Sequence, residues 1–94
     1  MAEQRSDNIV FVGKKPVMSY VMACLTLFQN GTTDITLKAR GRAISKAVDA
    51  AQIITKKFVP NVTVKSVELS TEHVKNAETG ATSNVSSMEI RLSK

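Results

Sequence analysis

DITLKARGRAISK, residues 34–46, changes its apolar period in mid-run. Ile35 and Leu37 alternate with polar neighbours, as in a half-buried strand, and Gly41 breaks that pattern. From Arg42 onward the spacing is helical. Ile44, Ala47 or Val48, Ala51, Ile54 and Phe58 share one face, and Ser45, Asp49, Gln52 and Lys56 share the other. A strand over about 34–39 therefore hands over to a helix over about 42–58, which Val59-Pro60-Asn61 ends.

The same stretch is dense in cations: Lys38, Arg40, Arg42 and Lys46 stand together with no acid among them. On extended backbone Lys38, Arg40 and Arg42 would all point one way, a comb suited to phosphates. Residues 8–46 hold six basic side chains against Asp34 alone, whereas the rest of the chain holds seven of each sign. The whole formal net charge of +5 thus lies in one contiguous part. A generic solubilising surface mixes the signs, so a polyanion, nucleic acid first, is the expected partner.

Working outward, NIVFVG (8–13) is a short apolar run with the β-branched and aromatic content of a strand. Lys14-Lys15-Pro16 then opens a helix, with Pro16 expected at its first position. Val17, Val21, Cys24 and Phe28 recur at helical spacing, Tyr20, Leu25 and Leu27 widen the stripe, and Asn30-Gly31 is a stop signal. Downstream, Val62 and Val64 share a parity opposite to that of Val67 and Leu69, which predicts a bulge near Lys65-Ser66. Met88, Ile90 and Leu92 mark a last strand. Between them, the Thr- and Ser-rich stretch 71–87 is expected to be a projecting hairpin with its turn near Thr79-Gly80.

The order is βαβαββ. It predicts an α+β, two-layer sandwich: a four-stranded mixed sheet, two helices on one of its faces, and a long β3–β4 hairpin arm. At 94 residues the chain is expected to form one domain over 8–94 after a loose tail over 1–7. No stretch reaches the roughly 18 apolar residues that span a bilayer. The N-terminus lacks the apolar centre of a signal peptide, and the single cysteine, Cys24, permits no intrachain disulfide. The expectation is a soluble cytoplasmic protein with no membrane partner and Cys24 in its core.

Catalytic chemistry is poorly provided for. His73 is the only histidine, the acids are scattered, and one His with one Cys cannot complete a zinc site. No glycine-rich nucleotide motif occurs. Neither an enzyme, a metal nor a cofactor is expected. Lys14 and Lys15, by contrast, precede a helix N-terminus that already favours anions, and Lys46 extends the patch of Arg40 and Arg42 by one helical turn. With no Trp, and with Tyr20 and the phenylalanines placed mostly on core faces, a stacking platform for bases is not expected. Binding directed at the backbone of duplex or structured nucleic acid is.

NIVFVGKKPVMSYV and ITLKARGRAISKAVD together closely resemble the two most recognisable segments of the Alba family, small dimeric archaeal chromatin proteins. The resemblance runs from about Asn8 to Lys94. It implies a homodimer that binds double-stranded DNA with little sequence preference, often RNA as well, and compacts DNA on the chromosome. It assigns phosphate contacts to Lys14, Lys15, Arg40 and Arg42, acetylation to Lys14, a dimer–dimer contact to Phe58, and a minor-groove role to the arms. Here the arm departs from many relatives, because Lys75 is offset by Glu72 and Glu78 and no cation follows it up to Ser87. Lys75 is the arm's one cationic candidate for binding. The alternatives are an RNA-binding protein, either a chaperone or a subunit of an RNA-processing complex, and a module whose basic face meets an acidic protein.

Overall fold

The computed structural model describes residues 8–94. Its elements are β1 (Ile9–Phe11), α1 (Val17–Gln29), β2 (Asp34–Arg40), α2 (Ala43–Ile53) continued by a π-helical turn (Ile54–Phe58), β3 (Thr63–Lys75) and β4 (Thr82–Ser93). The sheet order is β1-β2-β4-β3, with β1 parallel to β2 and the other pairs antiparallel. This is the α+β sandwich that the pattern predicts. The expected tail over 1–7 lies outside the described residues.

Alternation along β2 fixes the layers. Ile35, Leu37 and Ala39 are buried and face Leu92, Ile90 and Met88 of β4 across the register. Val21, Cys24 and Phe28 of α1, with Ala47, Ala50, Ala51 and Ile54 of the second helix, close the core over that face. The opposite parity, including Thr36, Lys38 and Arg40, looks out from an open face of the sheet. Burial of Cys24 pushes its thiol up to about 12, as befits a core residue.

Helix ends follow local chemistry. Pro16, with φ −59° and ψ 152°, is the N-cap of α1 and not its first helical residue, so the helix begins at Val17, one residue later than expected. At the other end the Gly31 N–H donates to the Phe28 carbonyl and the Thr32 N–H to that of Leu27, a Schellman pair. Gly31 makes it possible with φ +96°. The second helix spans its expected length but ends in a wider turn, where the Val59 N–H donates to the Ile54 carbonyl at 2.8 Å. Ile54 stays buried, whereas Phe58 is 48% exposed and does not extend the core stripe.

The predicted bulge falls at Lys65: Val64 pairs with Leu92, and the next pair is Ser66 with Arg91. Beyond Ser70–Ser87 the two strands run on without a third neighbour to Lys75–Thr82. This is the expected arm. Its tip is ordered by Asn76, whose Oδ1 accepts from the Glu78 and Thr79 N–H groups at 2.8 and 3.2 Å, with Gly80 at φ +75°.

Candidate nucleic-acid interface

The loop Gly13–Lys15 is held from two sides. Tyr20, in the first turn of α1, is buried to 7% exposure and its Oη accepts from the Gly13 N–H at 2.8 Å and the Lys15 N–H at 3.0 Å. From α2, Lys46 Nζ donates to the Lys15 carbonyl at 2.7 Å and the Gly13 carbonyl at 3.3 Å. Four backbone polar groups of a three-residue loop are thereby satisfied, and Lys14 and Lys15 are left exposed. The first turn of α2 lies beside the entry to α1, so the positive ends of two helix dipoles are neighbours.

The comb is shorter than the sequence implies. Lys38 and Arg40 project from the open face, but β2 ends at Arg40 and Gly41 turns with φ +56°. Arg42 is already in helical geometry as the N-cap of α2. Gly41 also donates to the Ser86 carbonyl at 2.8 Å, and a Cβ there would meet Val85 of the arm at 3.5 Å. The turn between the two arginines is thus seated on the base of the arm.

These elements enclose a cleft of about 850 Å³ whose walls include Lys14, Lys38, Arg40, Arg42 and Lys46, with Glu72 and Glu89 as its carboxylates. Five cations against two carboxylates leave three positive charges in excess. Arg40 pairs with Glu72 at 3.1 Å and Lys38 with Glu89 at 3.6 Å, both pairs well exposed. Glu89 also stands directly across from Glu68 on β3, so Lys38 offsets a like-charge pair. Lys15 lies beside the cleft and does not line it. Lys75 is near the tip of the arm, away from the cluster. Phe58 is at the far end of the second helix from Arg42, about 20–25 Å along its axis.

Two features beside the cations escape a reading of the sequence. The spacing of Tyr20 places it in the core, which is correct for its ring and silent about its hydroxyl. Phe11, expected among core-facing aromatics, is 69% exposed and lines the cleft; of the three phenylalanines only Phe28 is buried. Among the described residues no group of three or more His, Cys, Asp or Glu side chains could hold a metal ion, and no helix is long and apolar enough to cross a membrane.

Comparison with known proteins fits this geometry. The Alba family model matches residues 8–71. The chain is 55% identical to DNA/RNA-binding protein Alba 1 of Archaeoglobus fulgidus over 89 residues, which is 95% of this chain and 98% of the relative. It is 51% identical to DNA/RNA-binding protein Alba of Thermoplasma acidophilum, covering 94% of this chain and 97% of the relative. Among solved structures, Alba from Thermoplasma volcanium superposes with a TM-score of 0.87 at 52% identity, covering 93% of this chain and all of that one.

Proposed function

The chain belongs to the Alba family, and on that premise we propose that it is a DNA- and RNA-binding protein that coats and compacts double-stranded DNA as a homodimer, without strong sequence preference. The observation that carries this reading is the cleft at the helix N-termini with its excess of three positive charges. Lysines and arginines on an exposed surface grip phosphates, which position a protein on nucleic acid but carry no sequence information. Lys14, Lys15, Arg40 and Arg42 make those contacts, and Lys75 adds one on the arm. Acetylation of Lys14 would remove one cation and loosen the grip. Residues 8–94 act as one binding domain, associated with the chromosome.

The dimer has a physical motive. Val64, Val67 and Leu69 share the helix-side face of edge strand β3 with Leu92, Ile90 and Met88, yet are 46%, 50% and 73% exposed. With Val48 of α2, 37% exposed, they form an apolar surface that a second copy would cover. Phe58, half exposed on its π-helical turn, is suited to contacts between dimers along DNA. RNA is the second reading, favoured by the relatives' names and by a backbone-directed site that fits either polymer.

The test is affinity for mixed-sequence duplex DNA and for a folded RNA across a salt series, on the wild type and on Lys14→Ala/Arg40→Ala/Arg42→Ala. A steep salt dependence that flattens by about 0.9 per lost phosphate contact supports the reading. Flat, weak binding to both polymers refutes it in favour of an acidic protein partner, and a strong preference for RNA replaces the chromatin role.

A further inference from the structure

We propose that Phe11 and the cations beside it form a stacking site for an unpaired nucleobase, so that the chain also takes single-stranded or looped nucleic acid on the open face of its sheet. The inference rests on the nucleic-acid reading above and extends it from phosphates to bases.

Phe11 is the last residue of edge strand β1, on the parity opposite to Val10, which packs against the core. Its ring therefore leaves the open face, and 69% of the residue is exposed. Directly across the register stands Lys38, and Arg40 follows two residues along β2, about 7 Å further on. Lys14 closes the cleft from the loop just after the strand. One flat aromatic face is thus flanked by three cations. The ring carries no intramolecular cation that would explain its exposure: among the described residues the one cation stacked on an aromatic ring is Lys94 over Phe28, at 5.7 Å.

Phe11 is also remote from the apolar surface of the proposed dimer, because β1 and β3 are opposite edges of the sheet. A second copy seated on Val64, Val67 and Leu69 leaves it open. Four-stranded sheets that read single strands use the same division of labour, with aromatic rings on an open face for bases and cations for the backbone. A duplex keeps its base faces within its own stack, so only an unpaired base can reach the ring.

The experiment uses the full chain with single-stranded oligo-dT and oligo-rU, each carrying one 2-aminopurine, an abasic counterpart of each, and a duplex of equal length. Wild type, Phe11→Tyr and Phe11→Leu are compared by anisotropy and 2-aminopurine fluorescence. Because the side chain is exposed, all three are expected to fold alike. Wild type and Phe11→Tyr should quench the probe. Phe11→Leu should lose the quenching and bind single strands about fivefold or more weakly, the low end for one stacked base. Its affinity for duplex and for abasic strands should stay within about twofold of the wild type. Either polymer bound in this Phe11-dependent way supports the site. Equal losses on duplex and single strands, or single-strand binding by Phe11→Leu at the wild-type level, overturn it. Wild type that binds duplex but not single strands overturns the stacking site alone, whereas wild type that binds neither overturns the proposed function itself.

Discussion

Lys46 distinguishes two ways in which a lysine can serve a phosphate-binding face. Its ammonium has three N–H donors, and it donates to the Lys15 carbonyl at 2.7 Å and the Gly13 carbonyl at 3.3 Å. At most one donor is left for a phosphate. Lys46→Met keeps the aliphatic stem and removes both bonds. A charged hydrogen bond of good length contributes about 1.5–3 kcal/mol when shielded. Here the side chain is half-buried, water can replace it, and the second bond is long, so the loss should be about 1 kcal/mol. For a domain of this size that lowers Tm by about 4–8 °C. If Lys46 is mainly a brace, duplex affinity falls because the Gly13–Lys15 loop loosens, yet the salt slope changes by well under one. Arg42→Ala should behave oppositely, lowering the slope by about 0.9 per protomer with little effect on stability. Urea melts, anisotropy across a salt series and amide exchange at Gly13 and Lys15 measure all three quantities. A slope that drops by about 0.9 for Lys46→Met, with exchange of the loop amides unchanged, would refute the brace and restore Lys46 to the phosphate contacts.

Three further outcomes are expected. Glu72→Gln frees Arg40 from its exposed partner, a pair worth about 1 kcal/mol or less. Duplex affinity at low salt should rise about two- to fivefold with stability nearly unchanged, and an unchanged or weaker titration counts against competition between Glu72 and phosphate. Cys24, with its thiol pushed from 9.0 up to about 12 by burial, should react with iodoacetamide only as fast as the chain opens. The unfolded chain releases this proton first, so the stability linked to Cys24 is fully present below about pH 9 and falls as pH rises toward 12, measurable by urea melts. Gly31→Ala forces an L side chain to φ +96° and should cost about 1 kcal/mol, whereas Gly13→Ala, whose Cβ would make an ordinary 3.6 Å contact with Tyr20 Oη, should cost less in the same melts.

What could be foreseen and what could not divide along physical lines. Period and punctuation are local, so the strand-to-helix change at Gly41, the stop at Asn30-Gly31 and the parity shift that places the bulge at Lys65 were all legible. Periodicity says which face a residue shares, not whether anything covers that face. Val64, Val67 and Leu69 have the core parity of β3 and remain exposed because β3 is an edge strand that nothing in the protomer covers. NIVFVG reads as a strand from its apolar, β-branched and aromatic content, but an unbroken apolar run has no alternation to say which side chain faces out; β1 is the other edge of a sheet with one open face, and Phe11 falls on that face. The hydroxyl of Tyr20 and the ammonium of Lys46 found their partners only through tertiary contact. Arg42 left the comb for a similar reason: alternation assumes extended backbone, and the glycine that marks the turn also ends the extension.

The two carboxylates in the cleft bear on why a phosphate-binding face is not simply as basic as possible. Five cations gathered around one cleft repel one another; for scale, two unit charges about 7 Å apart repel by about 0.6 kcal/mol even in bulk water. Glu72 and Glu89 relieve that repulsion in the free protein by holding Arg40 and Lys38. A phosphate that takes either cation must displace its carboxylate. Part of the gain is then an exchange of one anion for another, and fewer bound counterions are released than the count of cations implies. Lys14, Lys15 and Arg42 have no ion-pair partner among the described residues, and they should carry most of the salt dependence. On the proposed function, Arg40 and Lys38 would then serve as conditional contacts, engaged where phosphate spacing is favourable enough to outcompete Glu72 and Glu89. Such a face would bind a polyanion firmly through many contacts while each of the paired contacts exchanges easily, as a protein that coats nucleic acid and later releases it requires.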